Sequence, residues 1–76
     1  MKLAYQIIME EIDNGFIVTI PDFAMEFTAP SVVDAISIAR ENITDSIKNG
    51  SGIRVPSLRV KGKNENDLIG FVDLNI

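Results

Sequence analysis

The sequence predicts an α+β two-layer sandwich, in which a four-stranded mixed sheet lies under one helix in the order strand, strand, strand, helix, strand (β-β-β-α-β). Three observations predict it. Four stretches alternate apolar and polar residues with a period of two, one stretch from Ser31 to Asn49 repeats its apolar residues at helical spacing, and the links joining the first three strands are short enough for hairpins. The 76 residues make a single domain, 1–76, with no internal repeat or low-complexity tract. A chain of this size buries roughly 60% of its unfolded surface and is marginally stable alone, so self-association or a partner is expected.

Residues 2–12 place Leu3, Tyr5, Ile7 and Met9 on one face and Lys2, Ala4, Gln6, Ile8 and Glu10 on the other. Asp13, Asn14 and Gly15 supply the positive φ angles of a tight hairpin. In the second strand, Phe16 to Ile20, the residues Phe16, Val18 and Ile20 continue the apolar face while Ile17 and Thr19 oppose them; Pro21 lacks an amide hydrogen and ends or edges the strand. A short third strand is expected over Phe23 to Ala29, with Met25 and Phe27 on one side and Glu26 and Thr28 on the other.

At about 100° per residue, Val32, Val33, Ile36, Ala39, Ile43 and Ile47 fall on one helical stripe. Pro30 keeps the residue before it extended, Ser31 caps the first turn with Asp34 three residues on, and Asn49 with Gly50 closes the helix. The segment 50–67, rich in Gly, Lys, Asn and Pro, is a long connection with an extended piece at Ile53 to Val60. Leu68 to Ile76 is the last strand, with Leu68, Val72, Leu74 and Ile76 opposed to Ile69, Phe71, Asp73 and Asn75. A helix between the third and fourth strands is the usual right-handed crossover between parallel strands, which is why a mixed sheet is expected.

One helix covers one face. The inward set is Leu3, Tyr5, Ile7, Phe16, Val18, Ile20, Phe27, Val72 and Leu74, yet the outward set still holds Ile8, Ile17, Ile69 and Phe71. If contiguous, those four form a protein contact; if scattered, they are the ordinary apolar fraction of a surface.

Composition narrows the chemistry. There is no cysteine and no histidine, which excludes disulfides, thiolate zinc sites, His-assisted nucleophiles and the commonest acid/base at neutral pH. A net charge of −4 disfavours nucleic-acid binding by the whole chain and suits a basic partner. No apolar run approaches the roughly 18 residues of a membrane span, and no secretory leader pattern opens the chain, so a cytoplasmic protein without cofactor is expected.

Three constellations could carry chemistry or contacts, and each has a plainer explanation. Glu10, Asp22 and Asp73 are the carboxylates that could form a two-metal nuclease centre, against which stands their ordinary use as solvated groups and turn caps. Lys48, Arg54, Arg59, Lys61 and Lys63 make a basic run in the long connection, but no aromatic residue interleaves with them to stack bases; the plainer role is a solvated loop. Asp34, Glu41 and Asp45 form an acidic helix face around an outward Ile38, which could receive a basic surface, whereas a lone outward Ile is commonly incidental.

The hairpin Asp13-Asn14-Gly15, the strand Phe16-Ile17-Val18-Thr19-Ile20, the following Pro21-Asp22-Phe23, the helix led by Ser31, Pro56 with Ser57, and Val72-Asp73-Leu74 together resemble the N-terminal domain of HicB-type antitoxins. The resemblance spans most of the chain. It implies a fold like a truncated ribonuclease H or a partial double-stranded-RNA-binding domain, an oligomer, and binding to HicA, a small basic toxin that cleaves mRNA. The chain departs from the family pattern at Ala24, Met25 and Glu26, where Pro-Gly-Cys is common, and at Ala29, Pro30 and Ser31, where Gly-Asp-Thr is common. The C-terminal DNA-binding module of the family has no counterpart here, so the expectation is a minimal HicB-like domain that neutralises a toxin without binding operon DNA. The alternative is a solitary HicB-like oligomer with a structural or regulatory role and no toxin partner.

Overall fold

A computed structural model describes residues 2–51, 56, 62 and 64–75. The elements are β1 (Lys2–Ile12), β2 (Gly15–Ile20), a 3-10 turn (Pro21–Phe23), β3 (Met25–Ala29), α1 (Val32–Ser46), a π-type turn (Ile47–Ser51) and β4 (Leu68–Asn75). The α+β class and the order of elements agree with expectation. The extended piece expected at Ile53 to Val60 lies outside the described residues, as do Arg54, Arg59, Lys61, Lys63 and Ile76.

The sheet runs β3-β2-β1-β4 and is antiparallel throughout, not mixed. The reason lies in where α1 stops. The helix starts beside Ala29, which pairs with Phe16 near the hairpin, and it ends where Thr44, Ile47 and Lys48 border Leu74 and Asn75 at the far end of the sheet. β4 starts back at the hairpin end, with Leu68 opposite Met9. β4 therefore begins at the end of the sheet opposite to the one where the helix stops, and this reverses the polarity that a bare helical crossover would have imposed.

In the first hairpin, Ile12 pairs with Gly15 and leaves Asp13 and Asn14 as the turn. Only Gly15 of the three residues carries a positive φ, at 146°, where three had been expected to share that duty. Close approach is a second demand on it, because a Cβ at Gly15 would lie 2.3 Å from the Ala29 carbonyl oxygen. The third strand begins at Met25 rather than Phe23. Pro21–Phe23 instead make one 3-10 turn, closed by Ala24 at φ 52° and ψ 38°, and the turn swings the Phe23 ring edge-on to Tyr5 with centroids 5.0 Å apart.

At the helix start, Ser31 is extended and its Oγ accepts a hydrogen bond from the Asp34 amide at 3.2 Å, the cap that its position predicts. Gly50, at φ 107°, turns the chain at the other end. Ala35, Ala39 and Ile43 are the buried residues of α1, while Val33 is 77% exposed, contrary to its expected place on the stripe. Small side chains decide this. With Ala35 and Ala39 against the sheet the helix backbone comes close, and the bulkier Val32, Ile36, Ile38 and Ile47 pack on the core from partly buried positions. Below them, Leu3, Tyr5, Ile7, Met9, Val18, Ile20, Val72 and Leu74 are buried as expected, with Phe16 and Phe27 packed at the margin.

Candidate interaction face

The face of the sheet away from α1 is built by the alternate residues of each strand. Register brings the four outward apolar residues together on it. Ile8 sits opposite Ile69 on one side and Thr19 on the other, Ile17 opposes Glu10 one step along, and Phe71 opposes Gln6 one step back. Ile17 and Phe71 are thus diagonal neighbours of Ile8, within reach for long side chains. Ile8 and Ile17 are half-buried, whereas Ile69 and Phe71 are 45% and 49% exposed. The patch is contiguous and lies on the side that the helix does not cover.

Polar groups surround it. Glu10 lies on β1, Glu26 on the outer edge of the sheet and Asp73 on β4, where its carboxylate is 3.7 Å from the Lys2 ammonium. That ion pair is largely solvated and contributes little. Gln6, which sequence patterning placed simply among outward residues, is only 3% exposed and forms the floor of the face beside Phe71. A buried amide within an apolar patch fixes side-chain geometry through its hydrogen bonds, and nothing in an alternating pattern signals it.

The second expected contact set does not adjoin the first. Asp34, Glu41 and Asp45 are exposed on α1, which lies across the opposite face of the sheet. Ile38 is partly buried and packs against the core instead of standing outward among these acids. It lies about 100° around the helix from the buried line through Ala35, Ala39 and Ile43, so it flanks the core. One flat partner surface therefore cannot meet Ile8 and Asp34 together.

The carboxylates considered for metal chemistry are dispersed. Glu10 lies six residues along β1 from Ala4, the partner of Asp73, which is about 20 Å at roughly 3.3 Å per residue; two-metal centres need ions about 4 Å apart. Asp22 is in the 3-10 turn. Among the described residues, no group of three or more His, Cys, Asp or Glu side chains is placed to hold a metal ion.

At the hairpin end, Glu10, Glu11, Asp13 and Asp67 line an open cleft of about 590 Å³ with Asn64 and Asn66. Asn64 is its organiser. Its side-chain amide donates to Glu10 Oε2 at 2.9 Å and its backbone amide to Asp67 Oδ2 at 3.0 Å, tying the entry of β4 to β1. Lys48, the described member of the basic run, is exposed beyond the helix end. Among the described residues no helix is long and apolar enough to cross a membrane. Compared with known proteins, the chain matches no family model, no curated protein and no solved structure.

Proposed function

We propose that this chain is a non-enzymatic, HicB-like protein-binding domain that neutralises a small basic, HicA-like ribonuclease by covering its RNA-binding and catalytic surface. The observation that carries the reading is the contiguous apolar patch of Ile8, Ile17, Ile69 and Phe71 on the uncovered sheet face, bordered by Glu10, Glu26 and Asp73. Desolvated apolar side chains at the centre of such a face provide affinity, and carboxylates at its rim steer a basic partner and select against acidic ones. The net charge of −4 acts in the same direction. The acidic face of α1 points away from this patch and serves solubility or a separate contact.

The test is inhibition of RNA cleavage by a purified HicA-like ribonuclease encoded beside this chain's gene. The wild-type chain co-purifies with it and blocks cleavage, and Ile17→Lys, at the patch on an interior strand, weakens binding at least tenfold, equivalent to about 1.4 kcal/mol. Unchanged inhibition by a folded Ile17→Lys variant refutes the sheet-face contact. A wild-type chain that neither binds nor inhibits refutes the antitoxin reading and leaves the oligomer with a structural or regulatory role.

A further inference from the structure

We propose that Asn49 is a site of spontaneous covalent modification: its side chain closes on the backbone nitrogen of Gly50 to a succinimide that opens to aspartate or isoaspartate, while the fold protects Asn14-Gly15 from the same reaction. This goes beyond the proposed function and holds whether or not a toxin exists.

Asparagine is thermolabile, and a following glycine makes it most so, because no side chain hinders the approach of the glycine nitrogen or the backbone rotation that brings it in. That nitrogen, its proton lost to base, attacks Cγ of the asparagine. The new C–N bond replaces the Cγ–Nδ2 bond, and ammonia leaves. Water then opens the five-membered ring. Addition at Cγ restores the ordinary chain with an aspartate, and addition at the backbone carbonyl leaves the chain running through Cγ as isoaspartate. In sum, asparagine and water give the acid and ammonia, with nothing oxidised or reduced.

The sequence holds two such pairs, Asn14-Gly15 and Asn49-Gly50. Both asparagines are exposed, and neither side-chain amide is held by a described residue. The difference lies in the attacking nitrogens. Ring closure requires the peptide between the two residues to turn until nitrogen and Cγ come within about 3–3.5 Å. At Gly15 that turn is blocked: the residue pairs with Ile12 in the ladder, and the position of a Cβ on it lies 2.3 Å from the Ala29 carbonyl oxygen. Closure at Asn14 must wait for the hairpin to open.

Asn49 and Gly50 stand where α1 gives way to the terminal turn. Asn49 has φ −94° and ψ 21°, Gly50 has φ 107° and ψ −5°, and both lie outside helical geometry. Gly50 is exposed, belongs to no strand, and a Cβ on it would meet no neighbour within 4 Å among the described residues. Frayed helix ends open at almost no cost, whereas ladder residues open only with larger units. The product carries a new carboxylate directly after Lys48, at the end of α1 where the helix dipole is already negative. The aged chain is therefore the less stable one.

Incubation of the full chain at mildly alkaline pH, followed by tryptic digestion and mass spectrometry, tests this through the gain of about 1 Da and the isoaspartate found at each site. In the native chain Asn49 converts at least about tenfold faster than Asn14; in urea the two rates come within about threefold, because the ladder that shields Asn14 is gone. Equal native rates overturn the proposal, as does an Asn49 that stays intact in the native chain. A difference that persists undiminished in urea also overturns it, since flanking sequence and not the fold then sets the selectivity.

Discussion

Replacing Gly15 with alanine tests the geometry that links the first hairpin, β3 and the helix start. Gly15 has φ 146°, and a Cβ there would fall 2.3 Å from the Ala29 carbonyl oxygen and 3.0 Å from Pro30 Cα, all of it backbone that cannot rotate away. Holding alanine at such a φ costs about 1–3 kcal/mol. Ordinary contact, from 3.4 Å upward, requires the two strands to part by more than 1 Å, which weakens the pairing of Phe16 with Ala29 and adds about 1 kcal/mol for a hydrogen bond. Against this, alanine restricts the unfolded chain and returns about 0.4–1 kcal/mol. The net loss is about 1–4 kcal/mol, a large share of the roughly 4–11 kcal/mol that a domain of this length has. It corresponds to a fall in Tm of about 4–30 °C at the roughly 4–8 °C per kcal/mol usual for this size. Urea titration and thermal melting followed by circular dichroism measure it. A Gly15→Ala protein melting within 3 °C of wild type, a margin set against the 4–8 °C that 1 kcal/mol moves Tm by roughly in such domains, refutes the close-approach argument.

Three further outcomes are expected. Ser31→Ala removes the oxygen that accepts the Asp34 amide and lowers stability by about 1 kcal/mol in urea denaturation. Ala24→Gly relieves a non-glycine residue at φ 52° and raises stability by about 0.5–1 kcal/mol, seen as a higher urea midpoint with unchanged slope. Val33→Lys, at a side chain 77% exposed, changes stability by less than about 0.5 kcal/mol, whereas Ala35→Leu forces bulk between helix and sheet and costs about 1–3 kcal/mol; equal effects from the two would refute the assigned rotation of the helix.

Alternation was enough to place β1 and β2, because both strands have one buried face and a one-residue slip would turn Tyr5 and Val18 out to water. Ser31 and Asp34 announced the helix start because capping is local chemistry. What escaped depended on the tertiary level. The apolar stripe rightly held Ala39 and Ile43, which are buried, but it included the exposed Val33 and left out Ala35, whose small side chain lets the helix approach the sheet, a preference that only packing reveals. The polarity of β4 was illegible for a related reason: a helix suggests a parallel crossover, and periodicity cannot say at which end of the sheet the last strand begins. The outward set Ile8, Ile17, Ile69 and Phe71 was legible as a list, while its contiguity required the register. Ile38 was misplaced because the flank of a helix lies within one residue's rotation of its solvent side.

The central strand takes its two neighbours from very different parts of the chain: β2 follows it at once, along Ile8 to Ile12, whereas β4 pairs with Lys2 to Met9 from more than fifty residues downstream. During synthesis the hairpin can close early, yet the first half of β1 must wait, with one side of its backbone open, until nearly everything else has left the ribosome. Premature stops upstream of Leu68 would release chains whose oldest segment is a ready template for aggregation, and a nascent partner captured there would be acquired before the fold is finished.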